Sequence, residues 1–333
     1  MKLVVIIPAL NEEKTLGDVI AGVPRHIEGV PEVEILVVDD GSTDHTATTA
    51  RNAGAEVVSH GRTRGVGAAF RTGVAAALER GAGLIVNIDA DGQFDPADIP
   101  ELIRPILSGE ADFATCSRFA RKDLIPRMPA VKRWGNRAVC WMVNFVTGGR
   151  FTDVSCGFRA YSRETALRLS LFGDFTYTQE SFIDLAGKHV RMVEVPLAVR
   201  GVREFGRSRV AASIPGYALR SFSIMLRAAR DLKPMKFFGA IGLAVFLFGC
   251  LLGVFVLGHW CATGHTTPYT QFLTGSAAAL ILGFLLLVLA LIADMLGRHR
   301  RITEELLYHQ RREAVERAAG PPNKPPAGAA KEA

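Results

Sequence analysis

The segment Asp89-Ala90-Asp91-Gly92-Gln93 places two carboxylates and a side-chain amide within five residues. In extended backbone Asp89 and Asp91 project to the same side, Gly92 permits a sharp turn, and Gln93 adds a neutral oxygen. Oxygen ligands of this kind suit a hard divalent cation, Mg2+ or Mn2+, which could bridge to a diphosphate and neutralise its leaving charge. Acidic triplets of this form also occur in solvated turns. The position here, at the end of the apolar run Leu84 to Ile88, is what gives it weight. A second cluster, Asp39 to Asp44, follows the apolar run Ile35 to Val38 in the same way. Asp39 could accept from a nucleobase imide or a ribose hydroxyl, while Ser42, Thr43 and Asp44 also suit the capping of a following helix. Glu12 is a weaker candidate for the same role as Asp39, and an acid in a first helical turn has a dipole partner already.

Other chemistries are poorly served. No Ser, His and Asp triad is apparent, and the five cysteines, Cys116, Cys140, Cys156, Cys250 and Cys261, contain no CxxC pair. Neither a zinc knuckle nor a disulfide framework is expected, which fits a reduced, cytoplasmic main domain. The fragment Arg64 to Phe70 has Gly65 and Gly67 but lacks the third glycine of a dinucleotide fingerprint and does not follow the first strand. The formal charge of +6, from 39 Lys and Arg against 33 Asp and Glu, fits anionic ligands or an anionic membrane surface, and does not favour nucleic acid.

The elements that must hold these residues alternate. Strand-like runs at LVVIIPA, EILVVDD, EVVSH and LIVNIDA are separated by helical patterns opening near Glu12, after Gly41, and from Gly65 to Arg80. This is an α/β layout with buried parallel strands, and in such sheets ligands collect at the carboxyl ends of the strands. Three polar clusters, Pro8 to Glu12, Asp39 to Asp44 and Asp89 to Gln93, thus converge on one edge.

The C-terminal third belongs to another solvent. Phe237 to Gly258 and Gln271 to Ala293 carry no charge, and each is long enough to cross a hydrocarbon core that needs about 20 helical residues. Lys233 and Lys236 precede the first span and Arg298, Arg300 and Arg301 follow the second, whereas the connector His259 to Thr270 has no Lys or Arg. Both termini are therefore expected in the cytoplasm of a multi-pass cell-membrane protein. Ile214 to Leu232 reads as an in-plane amphipathic helix, and Ile302 to Ala318 as a charged helix before a disordered tail. The expected division is 1–209, 210–236, 237–296 and 297–333.

Taken together, PALNEE, VVDDGSTD, DADGQFDP, SRF, DVSCGFRAYS, TQE and the RxxGxSR of Arg203 to Arg209 resemble the GT-A glycosyltransferases of family 2, specifically the dolichyl or polyprenyl phosphate sugar synthases. The resemblance covers about the first 210 residues. It implies a Rossmann-like GT-A domain with interfacial helices and a two-helix transmembrane hairpin, a nucleotide-sugar donor, a divalent metal, a polyprenyl phosphate acceptor and inversion at the anomeric carbon. By position it implies that Pro8, Ala9, Asn11, Glu12, Asp39, Asp89, Ala90, Gln93, Gln179, Glu180 and Ser208 line the donor site. Asp89, Asp91 and Gln93 correspond to the metal and diphosphate site, and Asp91, Arg118, Arg203 and Arg209 carry the catalytic and phosphate-handling roles. A mobile acceptor loop from Arg118 to Arg133 would bring Arg127, Lys132 and Arg133 to the acceptor. The family's Ser-Gly-Phe reads Ser155-Cys156-Gly157-Phe158 here, and its RxxGxSK lysine is Arg209, which keeps the charge and changes the donor geometry.

The expected reaction moves one hexose from GDP-mannose, or from UDP-glucose or another UDP-hexose, to a lipid phosphate; a homo-oligomer is compatible with it. A processive polysaccharide synthase would carry a QxxRW motif and more spans, and neither is present. A noncatalytic nucleotide-binding membrane scaffold would have no need of both Asp89 and Asp91.

Overall fold

In the computed structural model, residues 1–126, 128, 130–171, 177–200 and 234–318 are described. Two compact units contain them, Met1–Ser221 with Glu305–Ala333, and Phe222–Glu304.

The first unit is built on a seven-stranded sheet. Its amino-terminal strands are β1 (Lys2–Ala9), β2 (Glu32–Asp39), β3 (Glu56–Ser59) and β4 (Leu84–Asn87). Helices α1 (Leu16–Gly22), α2 (Thr46–Asn52) and α3 (Val66–Glu79) connect them. Leu3, Val4, Val5, Ile6 and Ile7 are all fully buried, because both faces of the sheet are covered and strict alternation is lost. The later strands are β5 (Phe113–Ser117), β6 (Arg159–Ser162) and β7 (Met192–Pro196), with helices α4 (Ile99–Leu107), α5 (Ala130–Thr147), α6 (Arg163–Arg168) and α7 (Thr178–Gly187).

The strand order is β3-β2-β1-β4-β6-β5-β7. Strands β1 to β4 are mutually parallel, as the sequence predicts. Strand β6 runs antiparallel to both β4 and β5, and β7 is parallel to β5. The expectation of parallel strands, made for the four runs of β1 to β4, holds, and β6 is the strand that reverses. Register decides where the site lies: Ala9 pairs with Asp39 and Asp39 with Ser59, so the carboxyl ends of three strands finish level.

One local expectation needs correction. The segment to Arg133 is not loop throughout: α5 opens at Ala130, and its inner face buries Val139, Cys140 and Val143. The charged segment after the second span is helical, as expected, and continuous with that span.

The second unit holds α8 (Pro234–Thr263) and the apolar part of α9 (Thr270–Ala318). Each of the two helices is long and apolar enough to cross a membrane. Small residues let them pack closely: a Cβ on Gly283 would lie 2.5 Å from the Phe246 nitrogen, and one on Gly249 would lie 2.8 Å from that of Leu280. The Ser276 hydroxyl donates to the Gly249 carbonyl at 2.8 Å, so a polar group inside the pair is satisfied. Helix α9 runs unbroken into Ile302–Ala318 because i,i+4 pairs such as Arg300–Glu304 and Arg312–Glu316 support its polar continuation.

Candidate active site

The three acidic or polar loops at the strand ends are joined by hydrogen bonds from loop to loop. Asn11, in the left-handed region at φ 52°, donates its N–H to the Ser42 hydroxyl and accepts the Thr43 N–H at 2.7 Å. The Glu12 N–H donates to the Thr46 hydroxyl, while the Glu12 carbonyl accepts the N–H groups that open α1. The Thr15 hydroxyl reaches across to the Ala90 carbonyl at 2.7 Å, tying the first loop to the third. Pro8, Ala9, Asn11, Glu12, Asp39, Asp89 and Ala90 are thus gathered at one edge, as the sequence predicts. Asp44 accepts the Thr46 N–H at the start of α2, which is the capping role open to it.

Asp39 is 4% exposed and accepts from the Ser42 N–H and the Ser59 hydroxyl, one on each oxygen. A carboxylate has about four acceptor sites, so capacity remains for a ligand N–H or O–H. Its neighbour Asp40 faces the other way chemically. Both oxygens of Asp40 fix the β3–α3 loop, accepting the N–H groups of Arg64 and Gly65, and one meets His60 Nδ1 at 2.8 Å. Gly41, at φ 79°, permits this loop to close: a Cβ there would stand 2.6 Å from the Arg62 carbonyl carbon.

Asp91 is buried and accepts the Gln93 N–H at 3.0 Å, closing the turn that the sequence assigns to Gly92 at φ 69°. Gln93 donates its side-chain N–H to the Arg200 carbonyl, and its own carbonyl accepts the Arg200 N–H, which joins this turn to the chain leaving β7. Among the described residues no three His, Cys, Asp or Glu side chains gather as a metal cluster. The donor set available to a cation is the two carboxylates Asp89 and Asp91 with the Gln93 amide oxygen. It is all oxygen, carries two charges and leaves positions for a diphosphate, which fits Mg2+ or Mn2+.

The segment containing Ser155-Cys156-Gly157-Phe158 passes directly over Asp89. A Cβ on Gly157 would lie 2.6 Å from Asp89 Oδ2 and 2.7 Å from Oδ1. Asn87, at the end of β4, fixes this approach by donating to the Gly157 carbonyl at 2.8 Å and to the Tyr177 hydroxyl at 2.7 Å. Beneath it lies Arg159, fully buried. Its guanidinium donates to the carbonyls of Cys156, Val154 and Thr178 and to the Ser181 hydroxyl, and it sits 4.8 Å from the Phe182 ring centroid. One cation thus ties the 154–156 segment to the first turn of α7, which carries Gln179 and Glu180.

Arg118, just beyond β5, is held in a fork by the fully buried Asp153, with Nε to Oδ2 at 2.6 Å and Nη2 to Oδ1 at 2.8 Å. Desolvation works against its charge and the bonded Asp153 outweighs it, so the guanidinium pKa lies above its usual value. Burial pushes the Cys140 thiol up to about 12, so it is no thiolate nucleophile at neutral pH. Arg133 is exposed on the first turn of α5, while the Lys132 side chain, Arg127, Arg203, Ser208, Arg209 and the amphipathic segment Ile214 to Leu232 lie outside the described residues.

Sequence reasoning passed over several residues that the geometry makes prominent: Asn87, Asp153, Arg159, Glu194 and the outer face of α5. On that face Trp134, Trp141 and Phe145 are 66%, 67% and 75% exposed, with Arg137 over the Trp134 ring at 5.9 Å. Spacing of seven and four residues was the available signal, masked by a helix start hidden in a basic segment. Asp153 and Arg159 stood inside the DVSCGFRAYS motif with no role attached.

A parallel half-sheet, an acidic turn where the antiparallel β6 joins it, and a second loop laid over that turn define a glycosyltransferase of the GT-A type. The structure of glucosyl-3-phosphoglycerate synthase from Mycobacterium tuberculosis, with Mn2+, UDP-glucose and phosphoglyceric acid, superposes with a TM-score of 0.55 at 25% identity, over 68% of this chain and 79% of that one. More particularly, the chain belongs to glycosyl transferase family 2, whose model matches residues 4–169. Its relatives include the undecaprenyl-phosphate mannosyltransferase of Micrococcus luteus, 30% identical over 69% of this chain and 96% of that protein. The UDP-N-acetylglucosamine–dolichyl-phosphate N-acetylglucosaminyltransferase of Methanococcus voltae is 32% identical over 50% of this chain and 71% of its own.

Proposed function

We propose that this glycosyltransferase moves one hexose, with inversion, from a nucleotide sugar to polyprenyl phosphate at the cytoplasmic face of the membrane, with GDP-mannose the favoured donor and a UDP-hexose the alternative. The observation that carries the reading is the laying of Gly157 against Asp89, which puts a second segment over the acidic turn at the strand ends. The two relatives named for polyprenyl-type phosphates support the acceptor, and the aromatic face of α5 with the two apolar helices supports the membrane setting.

The chemistry asks little of a general base. A phosphate monoester loses its second proton near pH 6, by analogy with phosphorylated side chains, so the acceptor is already a nucleophile. Its oxygen forms a bond to the anomeric carbon from the side opposite the diphosphate, and the bond from that carbon to the diphosphate oxygen breaks with its electron pair leaving on the nucleoside diphosphate. Asp89, Asp91 and Gln93 would hold a divalent cation, which when bound neutralises charge on the leaving group. Asp39 accepts from the base or ribose, Gln179 and Glu180 face the donor sugar, and Arg118, with Arg203 and Arg209, takes phosphate oxygens by guanidinium hydrogen bonds. Arg127, Lys132 and Arg133 attract the acceptor headgroup. Positioning of donor and acceptor in line supplies most of the rate.

Incubating the purified chain with polyprenyl phosphate and a panel of labelled nucleotide sugars tests this. Label from one donor should enter the lipid phase and stop doing so with chelator; no transfer from any donor, or transfer indifferent to chelator, contradicts it. For the orientation, an impermeant thiol reagent applied outside should reach Cys261, exposed at the end of α8, and labelling only from the cytoplasmic side would reverse it.

A further inference from the structure

We infer that Glu194 is a positioning residue for Arg118, acting through the 152–153 backbone and Asp153 on the group that receives phosphate oxygens. This rests on the reading of Arg118 as a phosphate ligand. Glu194 lies on β7, an edge strand, opposite Thr115 of β5. Strand alternation puts Thr115, Ser117 and Glu194 on one face of the sheet. There the Glu194 carboxylate collects three donors from two consecutive residues: the Thr152 N–H at 2.9 and 3.0 Å, the Thr152 hydroxyl at 2.9 Å, and the Asp153 N–H at 2.8 Å. Among the described residues no Lys or Arg pairs with it, so a half-buried charge is stabilised by peptide and hydroxyl donors alone. Burial accordingly pushes its carboxyl above the usual glutamate range.

The backbone it holds has no slack. On the other side, Asn144 brackets Phe151 with two 2.8 Å bonds, and Asn136 Nδ2 and Cys140 Sγ both reach the Thr152 carbonyl. The Thr152 hydroxyl also meets Ser117 at 2.7 Å, one residue before Arg118. Asp153 is thereby fixed with both oxygens spent: Oδ1 takes Arg118 Nη2 and the Ser155 N–H, and Oδ2 takes the N–H and Nε of Arg118. One edge of the guanidinium, Nε with one Nη2 hydrogen, is consumed, which leaves Nη1 and the second Nη2 hydrogen aimed away from Asp153. A guanidinium so pinned offers a fork of fixed direction, and the direction is set from Glu194.

A double-mutant cycle on the full chain separates this from a general structural role, since residues acting through one another are non-additive. Steady-state transfer is read for Arg118→Ala, Glu194→Gln and the pair, with donor affinity by calorimetry. Glu194→Gln should lower kcat by about tenfold and leave donor affinity alone, and in the Arg118→Ala background it should cost less than about twofold. If Glu194→Gln does not fold, Thr152→Val, which strips only the hydroxyl donor, should show a smaller loss with the same disappearance. Additive losses, or no loss from Glu194→Gln while Arg118→Ala stays impaired, overturn the positioning role and leave the phosphate reading standing. Full activity in Arg118→Ala overturns the phosphate reading, and the positioning role with it.

Discussion

The two halves of the sheet solve the same problem differently. Around β1 to β4 the loops are held by ties spread over several side chains, most of them neutral and bonded to a neighbouring loop's backbone, such as Asn11 to Thr43 and Thr15 to Ala90. Around β5 to β7 a few charged groups do it, with Arg159 alone bonding to the 154–156 segment and to α7, and Asp153 and Glu194 holding what surrounds Arg118. The first arrangement distributes the loss when one bond is removed. The second concentrates it, because a buried charge stripped of its partner costs about 3–5 kcal/mol.

That contrast can be broken at several points. Asp91→Asn should have the largest effect, lowering turnover at least about a hundredfold with the fold intact, because one of two carboxylates at the leaving-group site loses its charge. Wild-type turnover in that variant would remove Asp91 from the cation site. Gly157→Ala comes next: its Cβ must displace Asp89 or the 154–158 segment, so kcat should fall by about tenfold or more. Donor binding to Gly157→Ala with unchanged turnover would show that the close approach is incidental. Asp39→Ala should be milder and of a different kind. It should raise the donor dissociation constant by about tenfold with little change in kcat at saturation, since its ligand atoms are remote from the reacting carbon. Unchanged donor affinity in calorimetry would take Asp39 out of the site.

The same contrast explains what could be read in advance. The placement of Asp39, Asp89 and Asp91 at the strand ends was legible because a buried parallel strand is a continuous apolar run and the acids follow it. Strand β6 was not, since RAYS has no such run and its reversal depends on pairing with β4 and β5. Arg159 hides for a related reason: a fully buried guanidinium violates the usual distribution of charge, and only the carbonyls around it make it tolerable. The start of α5 was lost because Lys132, Arg133 and Arg137 interrupt the apolar periodicity of its first turns. The continuity of α9 past Ala293 was unmarked, since the composition changes there from apolar to charged while i,i+4 pairs such as Asp294–Arg298 carry the helix on.

The proposed reaction is transfer of a single sugar to a lipid phosphate with inversion. Mass spectrometry of polyprenyl phosphate after incubation with the accepted α-linked donor, followed by determination of the anomeric configuration, tests it directly. The product should be heavier by one hexose residue and carry the β-anomer. A ladder of hexose additions, retention of the α-anomer, or unmodified lipid beside hydrolysed donor would contradict it.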